Sequence, residues 1–223
     1  MSYTRFAIYY LPPEGPLGAF GAAWLGWDVA RGRPADQLDV PDIGDVTMTP
    51  RKYGFHATLK PPFKLAAGQD EGALAAAVAA MAADCPPVRC DGLQLSNIGR
   101  FLALTPSGDC AALTRLAEAC VRELDAFRAP PAPQELQRRR DAGLNARQEE
   151  LLTRWGYPYV MEEFRFHMTL TGSLEQGDLT RWRDTLAARL PALPEPFYLD
   201  AVALVGERSD GMFELIQRYV LSG

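Results

Sequence analysis

The stretch Lys52-Tyr53-Gly54-Phe55-His56-Ala57-Thr58-Leu59-Lys60-Pro61-Pro62-Phe63 decides how this chain is read, because its centre, His56-Ala57-Thr58-Leu59, returns as His167-Met168-Thr169-Leu170. The chain has 2 histidines, and both stand in this His-x-Thr-Leu setting. With 11 Thr and 28 Leu among 223 residues, random order would produce the coincidence with a chance of ~4 × 10⁻⁵. Duplication is the better explanation. Both copies lie in alternating runs, the pattern of a half-buried strand in which residues two apart share a face. His56, Thr58 and Lys60 then share one face. On the second run Arg165, His167, Thr169 and Thr171 share a face, while Phe164, Phe166, Met168 and Leu170 point into the core.

Outward from these runs the elements repeat. Tyr3–Leu11 is aromatic and β-branched and closes at Pro12-Pro13, as a strand does. Leu17, Phe20, Trp24 and Trp27 recur at helical spacing as far as Gly32-Arg33-Pro34, with loop to about Met48. Pro61-Pro62 is expected to stop the first motif strand. The alanine-rich Glu71–Asp84 is a helix, and strands over Val88–Asn97 and Arg100–Thr105 join near Gly99. Cys110–Phe127 is helical, with Leu113, Leu116, Cys120 and Leu124 along one side. After Pro130-Pro131-Ala132-Pro133 comes a charged helical stretch broken at Gly143. The second motif strand, Glu163–Thr171, closes at Gly172. A helix over Leu179–Leu190 and two strands around Ser209-Asp210-Gly211 complete the chain. The order strand, helix, His-bearing strand, helix, strand thus occurs twice. This predicts a single bilobal domain over residues 1–223, with repeats 1–99 and 100–223 and an insertion at about 129–156 that could cover a site.

Composition bounds the function. Hydrophobic residues make up 48% and charged residues 23%, enough for a sizeable core and too apolar for disorder. No apolar run reaches the ~20 residues that cross a bilayer. The opening residues lack the basic and apolar regions of an export signal, so a cytoplasmic location is expected. The net charge of −5 argues against a broad cationic surface for extended nucleic acid, but allows a small anion in a local pocket. Cys85, Cys90, Cys110 and Cys120 lack the spacing of a zinc clip and are expected as reduced thiols. No cluster of ligand-type residues calls for a metal, and no cofactor is expected.

Two strands that each expose a histidine and a threonine beside a cation would form a groove suited to phosphate. An imidazole titrates near ~6.5, so one can act as base while its partner acts as acid. Hydroxyls donating to the non-bridging oxygens would stabilise developing charge. Lys60 and Arg165 are candidate phosphate ligands, and Thr171 extends the second polar face where Lys60 holds the equivalent place in the first. Tyr53, Phe55, Tyr157 and Tyr159 could stack on a base or pack the cleft wall, although alternation turns Tyr53 and Phe55 away from His56. Arg138-Arg139-Arg140 could clamp a second phosphate or form the wet side of a helix.

The paired His-x-Thr strands in a duplicated chain resemble the two-histidine (2H) phosphoesterase superfamily, and the resemblance covers essentially the whole chain. More specifically, Lys52–Phe63 and Trp155-Gly156-Tyr157-Pro158-Tyr159-Val160, followed by Phe164–Thr171, resemble a branch associated with bacterial phosphonate-utilisation operons. The superfamily includes the bacterial RNA 2′,3′-cyclic phosphodiesterase/ligase group and cyclic nucleotide phosphodiesterases. The resemblance implies an α+β, pseudo-two-fold fold of mainly antiparallel sheets with outer helices and a central cleft. It implies His56 and His167 as general base and acid in an order left open, Thr58 and Thr169 as ligands of phosphate oxygens, and no metal. The expected activity is hydrolysis of a small cyclic phosphodiester, a nucleotide 2′,3′-cyclic phosphate or a ribose cyclic phosphate. The alternative is a non-catalytic nucleotide or RNA-end binding protein. RNA end joining is a third reading that lacks an extended basic surface.

Overall fold

In the computed structural model, which describes residues 3–223, the first aromatic run forms β1 (Phe6–Tyr10). α1 (Pro16–Leu25) follows, with proline in the first turn where no backbone donor is needed, and Gly26 (φ 79°) turns the chain out of it. That left-handed cap ends the helix before the expected Gly32-Arg33-Pro34 boundary. Trp27 instead enters a small ribbon of β2 (Trp27–Asp28) and β3 (Arg33–Pro34). The segment expected as loop up to Met48 contains the start of α2 (Ile43–Arg51). Gly44 and Pro50 speak locally against a helix, but tertiary bonds override them: Arg51 donates from Nε to the Leu25 carbonyl and from Nη2 to Gln37 Oε1, each at 2.9 Å.

β4 (Ala57–Phe63) runs through Pro61 and Pro62 rather than stopping at them. Ile8 pairs with Lys60 and Phe6 with Phe63, so three steps of β4 oppose two of β1. The prolines sit in this bulge, where ladder donors are not required. α3 (Glu71–Asp84) has the boundaries read from its alanines, and Asp70 caps it by accepting the Ala73 N–H at 2.8 Å. The strand expected over Val88–Asn97 divides into β5 (Val88–Cys90) and β6 (Gly92–Ile98), and β6 turns through Gly99 into β7 (Phe101–Ser107). α4 (Ala111–Glu123) comes next. The charged stretch folds as α5 (Pro133–Arg140) and α6 (Ala146–Trp155), on either side of Gly143.

Of the alternating run Glu163–Thr171, only β8 (Met168–Thr169) joins a ladder. Alternation assigns side chains to faces, but a ladder also needs a neighbour within reach. Residues 164–167 precede the paired segment and find no ladder partner. α7 (Asp178–Ala187), β9 (Phe197–Leu199) and the hairpin of β10 (Ala201–Glu207) and β11 (Phe213–Val220) complete the fold. The four cysteines are free, and no helix among the described residues is long and apolar enough to cross a membrane.

Seven strands form one antiparallel sheet in the order β11-β10-β1-β4-β8-β7-β6. Each half of it draws on both halves of the chain: β1 and β4 lie with β10 and β11, and β8 lies with β7 and β6. The halves join at β4 and β8 through one register pair, Ala57 with Met168. The main core lies on the face carrying Ile8, Ala57, Leu59, Leu104, Met168 and Leu204, covered by Trp24 of α1, Val78 of α3, Leu116 of α4 and Trp182 of α7. The opposite face bears a smaller apolar cluster of Tyr9, Trp27, Val29, Val205 and Phe213. That second face also carries the motif side chains.

Candidate active site

The pairing of Ala57 with Met168 builds the site. Both residues are fully buried in the main core, so their neighbours on either side point to the opposite face. Extending the antiparallel register sets His56 across from Thr169 and Thr58 across from His167. The four motif side chains therefore stand as a crossed pair about a local two-fold axis. The cavities follow this crossing. His56 and Thr169 line a hollow of about 280 Å3 with Tyr53, Phe101 and Thr171, and Thr58 and His167 line a larger one of about 550 Å3 with Phe101, Tyr157 and Arg165. Phe101 borders both, so they form two arms of one cleft.

The local two-fold extends to the imidazole hydrogen bonds. His56 Nδ1 lies 2.9 Å from the Gly54 carbonyl, and His167 Nδ1 lies 2.7 Å from the Arg165 carbonyl, each two residues upstream. A carbonyl can only accept, so each Nδ1 carries a proton, which leaves the Nε2 lone pair free in the neutral ring. His56 Nε2 is 3.0 Å from Thr58 Oγ1, and with that nitrogen as acceptor the hydroxyl is the donor. Gly54 makes the first of these bonds possible. Its φ of 72° lies in the left-handed region, and a Cβ there would collide with the Val29 side chain.

The surroundings of the two rings differ. His56 stacks on Tyr9 with centroids 3.8 Å apart at 24°, and Tyr53 lies 6.2 Å away on another side. Burial pushes its pKa down from 6.5 to about 4; the Gly54 carbonyl opposes this and the field of His167 adds to it. His167 has Phe101 at 5.7 Å, tilted by 53°, and no stacked partner among the described residues.

The other candidates divide. Arg165 is exposed and lines the larger arm. Tyr53 lines the smaller arm beside His56, which corrects the expectation that alternation turns it away: the turn at Gly54 interrupts the alternation before β4 begins. Phe55 does enter the core, at 3% exposure. Tyr157 lines the larger arm with Tyr159, and Arg139 stacks over its ring at 4.6 Å. Lys60 does not present its ammonium to either arm. It is 2% exposed, donates to the Val121 carbonyl near the end of α4 at 3.0 Å, and lies 4.0 Å from Asp125. Thr171 is likewise buried, its hydroxyl accepting the Leu102 N–H and donating to the Gly172 carbonyl. The positions just beyond the motif threonines are thus turned to backbone in both strands. Of the arginine run, Arg139 pairs with Glu135 at 2.6 Å and Arg140 with Glu149 at 2.7 Å, so these charges are matched within the charged stretch itself. No group of three or more His, Cys, Asp or Glu among the described residues is placed to hold a metal ion.

Sequence reasoning missed Tyr9 and Phe101. Both lie on flanking strands, and only the strand register brings them to the motif rings.

Residues 58–214 match the family described as "Protein of unknown function (DUF1045)". Two relatives, from Janthinobacterium sp. (strain Marseille) and Laribacter hongkongensis (strain HLHK9), bear the name ribose 1,5-bisphosphate phosphokinase PhnN. Both are 38% identical to this chain, over 236 and 216 residues; the alignments cover 100% and 93% of the chain but 52% and 49% of those proteins. The chain thus spans about half the length of the curated relatives it matches. Its lysines are Lys52, Lys60 and Lys64, and none follows a glycine, so it has no Gly-x-x-x-x-Gly-Lys-Ser/Thr loop for nucleotide phosphates. Among solved structures, E. coli LigT in apo form, a two-histidine phosphoesterase, aligns over 100% of both chains with a TM-score of 0.50 at 13% identity. At that identity the likeness concerns the fold alone. The chain belongs to the DUF1045 family, and its fold is that of the two-histidine phosphoesterases.

Proposed function

We propose that this chain hydrolyses a small cyclic phosphodiester by acid–base catalysis from its two histidines. The observation that carries this reading is the crossed pairing about Ala57 and Met168, with each histidine opposite the other motif's threonine on one cleft. One imidazole takes a proton from water as the water oxygen attacks phosphorus. The bond from phosphorus to one ring oxygen breaks, its electron pair leaves on that oxygen, and the other imidazole supplies the proton. Exchange with solvent returns both rings to their starting states. On substrate binding the Thr58 hydroxyl turns from His56 Nε2 to a non-bridging oxygen, which frees that nitrogen, Thr169 donates to the other oxygen, and Arg165 offers a further charged contact. Tyr53 and Tyr157 form the walls. The chemistry needs no metal.

The substrate class is a nucleotide 2′,3′-cyclic phosphate or a ribose cyclic phosphate, and the names of the relatives favour the second. Opening the 1,2-cyclic phosphate of a ribose 5-phosphate so that phosphate stays on O1 gives ribose 1,5-bisphosphate, the compound in those names. The phosphokinase activity then belongs to the portion of those proteins outside this chain, which lacks the phosphate-binding loop. This agrees with the branch associated with phosphonate utilisation.

The test is turnover of nucleotide 2′,3′-cyclic phosphates and ribose 1,2-cyclic phosphates, with and without a 5-phosphate, in excess chelator. Hydrolysis by the wild type and its loss in both His56→Ala and His167→Ala are expected. Activity abolished by chelator would overturn the mechanism. Tight binding without turnover by the wild type would favour a nucleotide or RNA-end binding protein instead.

A further inference from the structure

We propose that Tyr9 is a positioning residue that makes the two histidines unequal, setting His56 as the base that activates water and leaving His167 to protonate the departing oxygen. This assignment rests on the hydrolytic reading above and deepens it.

The argument starts from register. Tyr9 of β1 pairs with Thr58, and Ala103 of β7 pairs with Thr169. Tyr9 and Ala103 therefore hold equivalent places beside the two motif strands, one bearing an aromatic ring and the other a methyl group. The ring lies flat against His56 with centroids 3.8 Å apart, whereas a methyl group cannot cover His167. Phe101, two residues from Ala103, approaches His167 only at a tilt and stands between the arms of the cleft.

Apart from the Gly54 carbonyl, which favours the charged ring, the groups packed against His56 act in the same sense. From β1 comes Tyr9, which is 0% exposed, and burial holds its phenol well above the ordinary tyrosine range, so it brings no negative charge. From the preceding turn comes the Tyr53 ring, with the Lys52 ammonium 4.7 Å over it, and from its own strand Thr58. From β8 comes Thr169 and from the residue just before it His167, and no carboxylate lines this arm among the described residues. An imidazole that is stacked, partly desolvated and without a counter-charge favours its uncharged form. The Gly54 carbonyl fixes the proton on Nδ1, so Nε2 is the basic atom. His167 has the same tautomer-fixing bond and lacks the stacked ring. The ring of Tyr9, rather than its hydroxyl, carries the effect, because that hydroxyl has no hydrogen-bond partner.

With 2 histidines in the chain, each imidazole can be followed separately by nitrogen-detected NMR titration, assigned with His167→Ala. In the wild type His56 is expected to remain neutral down to pH 5 and to titrate near 4. Tyr9→Phe should leave this unchanged. Tyr9→Ala should raise the His56 titration by ~1–2 pH units and move the acid limb of kcat/KM upward by the same amount. Titration of wild-type His56 at pH 6 or above would overturn the proposal, as would an unmoved His56 in folded Tyr9→Ala. If Tyr9→Ala does not fold, the wild-type and Tyr9→Phe titrations decide. The titration needs no turnover, so a substrate panel that yields no hydrolysis counts against the hydrolytic reading and leaves the influence of Tyr9 on His56 measurable.

Discussion

Thr58, Thr169 and Thr171 are chemically identical side chains in three different states. The Thr58 hydroxyl is engaged with His56 Nε2, the Thr169 side chain lines the cleft, and the Thr171 hydroxyl is bonded to backbone on both sides. These states separate function from structure by experiment. Thr169→Val is expected to lower kcat by ~10²–10³-fold with an unchanged unfolding midpoint, since a hydroxyl aimed at developing charge contributes about that much. Thr171→Val should do the reverse. It leaves the Leu102 N–H without its acceptor and should destabilise the protein by ~1–3 kcal/mol in urea titrations, with turnover kept within a few-fold. Equal effects of the two substitutions on kcat would remove the distinction.

At the scale of elements, β4 and the end of α4 are tied by a buried ammonium. Lys60 donates to the Val121 carbonyl, one of the last in α4, where a cation also complements the helix dipole. Burial pushes the Lys60 pKa down from 10.5 to about 8, and the Asp125 carboxylate opposes the shift. A lowered folded-state pKa means that the unfolded chain binds more protons between these values, so stability should rise as pH climbs from about 8 to 10.5. Lys60→Met should flatten that rise and change stability at pH 7 by no more than about 1–2 kcal/mol, because a buried charge can often be replaced by a well-packed apolar chain. Thermal melts of both proteins between pH 7 and 10 would check this. A hundredfold fall in kcat/KM in the same variant would instead return Lys60 to the substrate.

The whole molecule joins its sheet halves at one pair of residues yet has a continuous helical layer behind them. Trp24 of α1 packs edge-on against Trp182 of α7 at 6.2 Å, and its indole donates to the Leu170 carbonyl just past β8 at 2.8 Å. The join is therefore carried mainly by the core, and the cleft side is free to diverge. Unfolding is expected as one transition, with tryptophan fluorescence and far-UV circular dichroism coinciding. Trp24→Phe should cost about 2–4 kcal/mol by opening a cavity and leaving a buried carbonyl unpaired. Two resolved transitions in the wild type would show that the sheet halves are energetically separate.

Much of this arrangement was legible in the residues. The His-x-Thr repeat picked out the two strands that meet at the centre of the sheet, and alternation placed Phe166, Met168 and Leu170 in the core and the motif side chains of each strand on one face. The α3 helix and the last hairpin were readable because alanine propensity and turn chemistry are local. What sequence could not supply was register. Alternation has a period of two and is blind to which strand lies alongside, so it could not pair Ala57 with Met168, cross His56 with Thr169, or bring Tyr9 over one histidine and Ala103 beside the other motif. It also followed a strand rule through Gly54, where the backbone had left the strand, and so misdirected Tyr53. Lys60 was turned from the cleft by a carbonyl 61 residues away along the chain. Face and chemistry are properties of neighbouring residues, whereas partner and depth of burial are decided only when distant segments pack together.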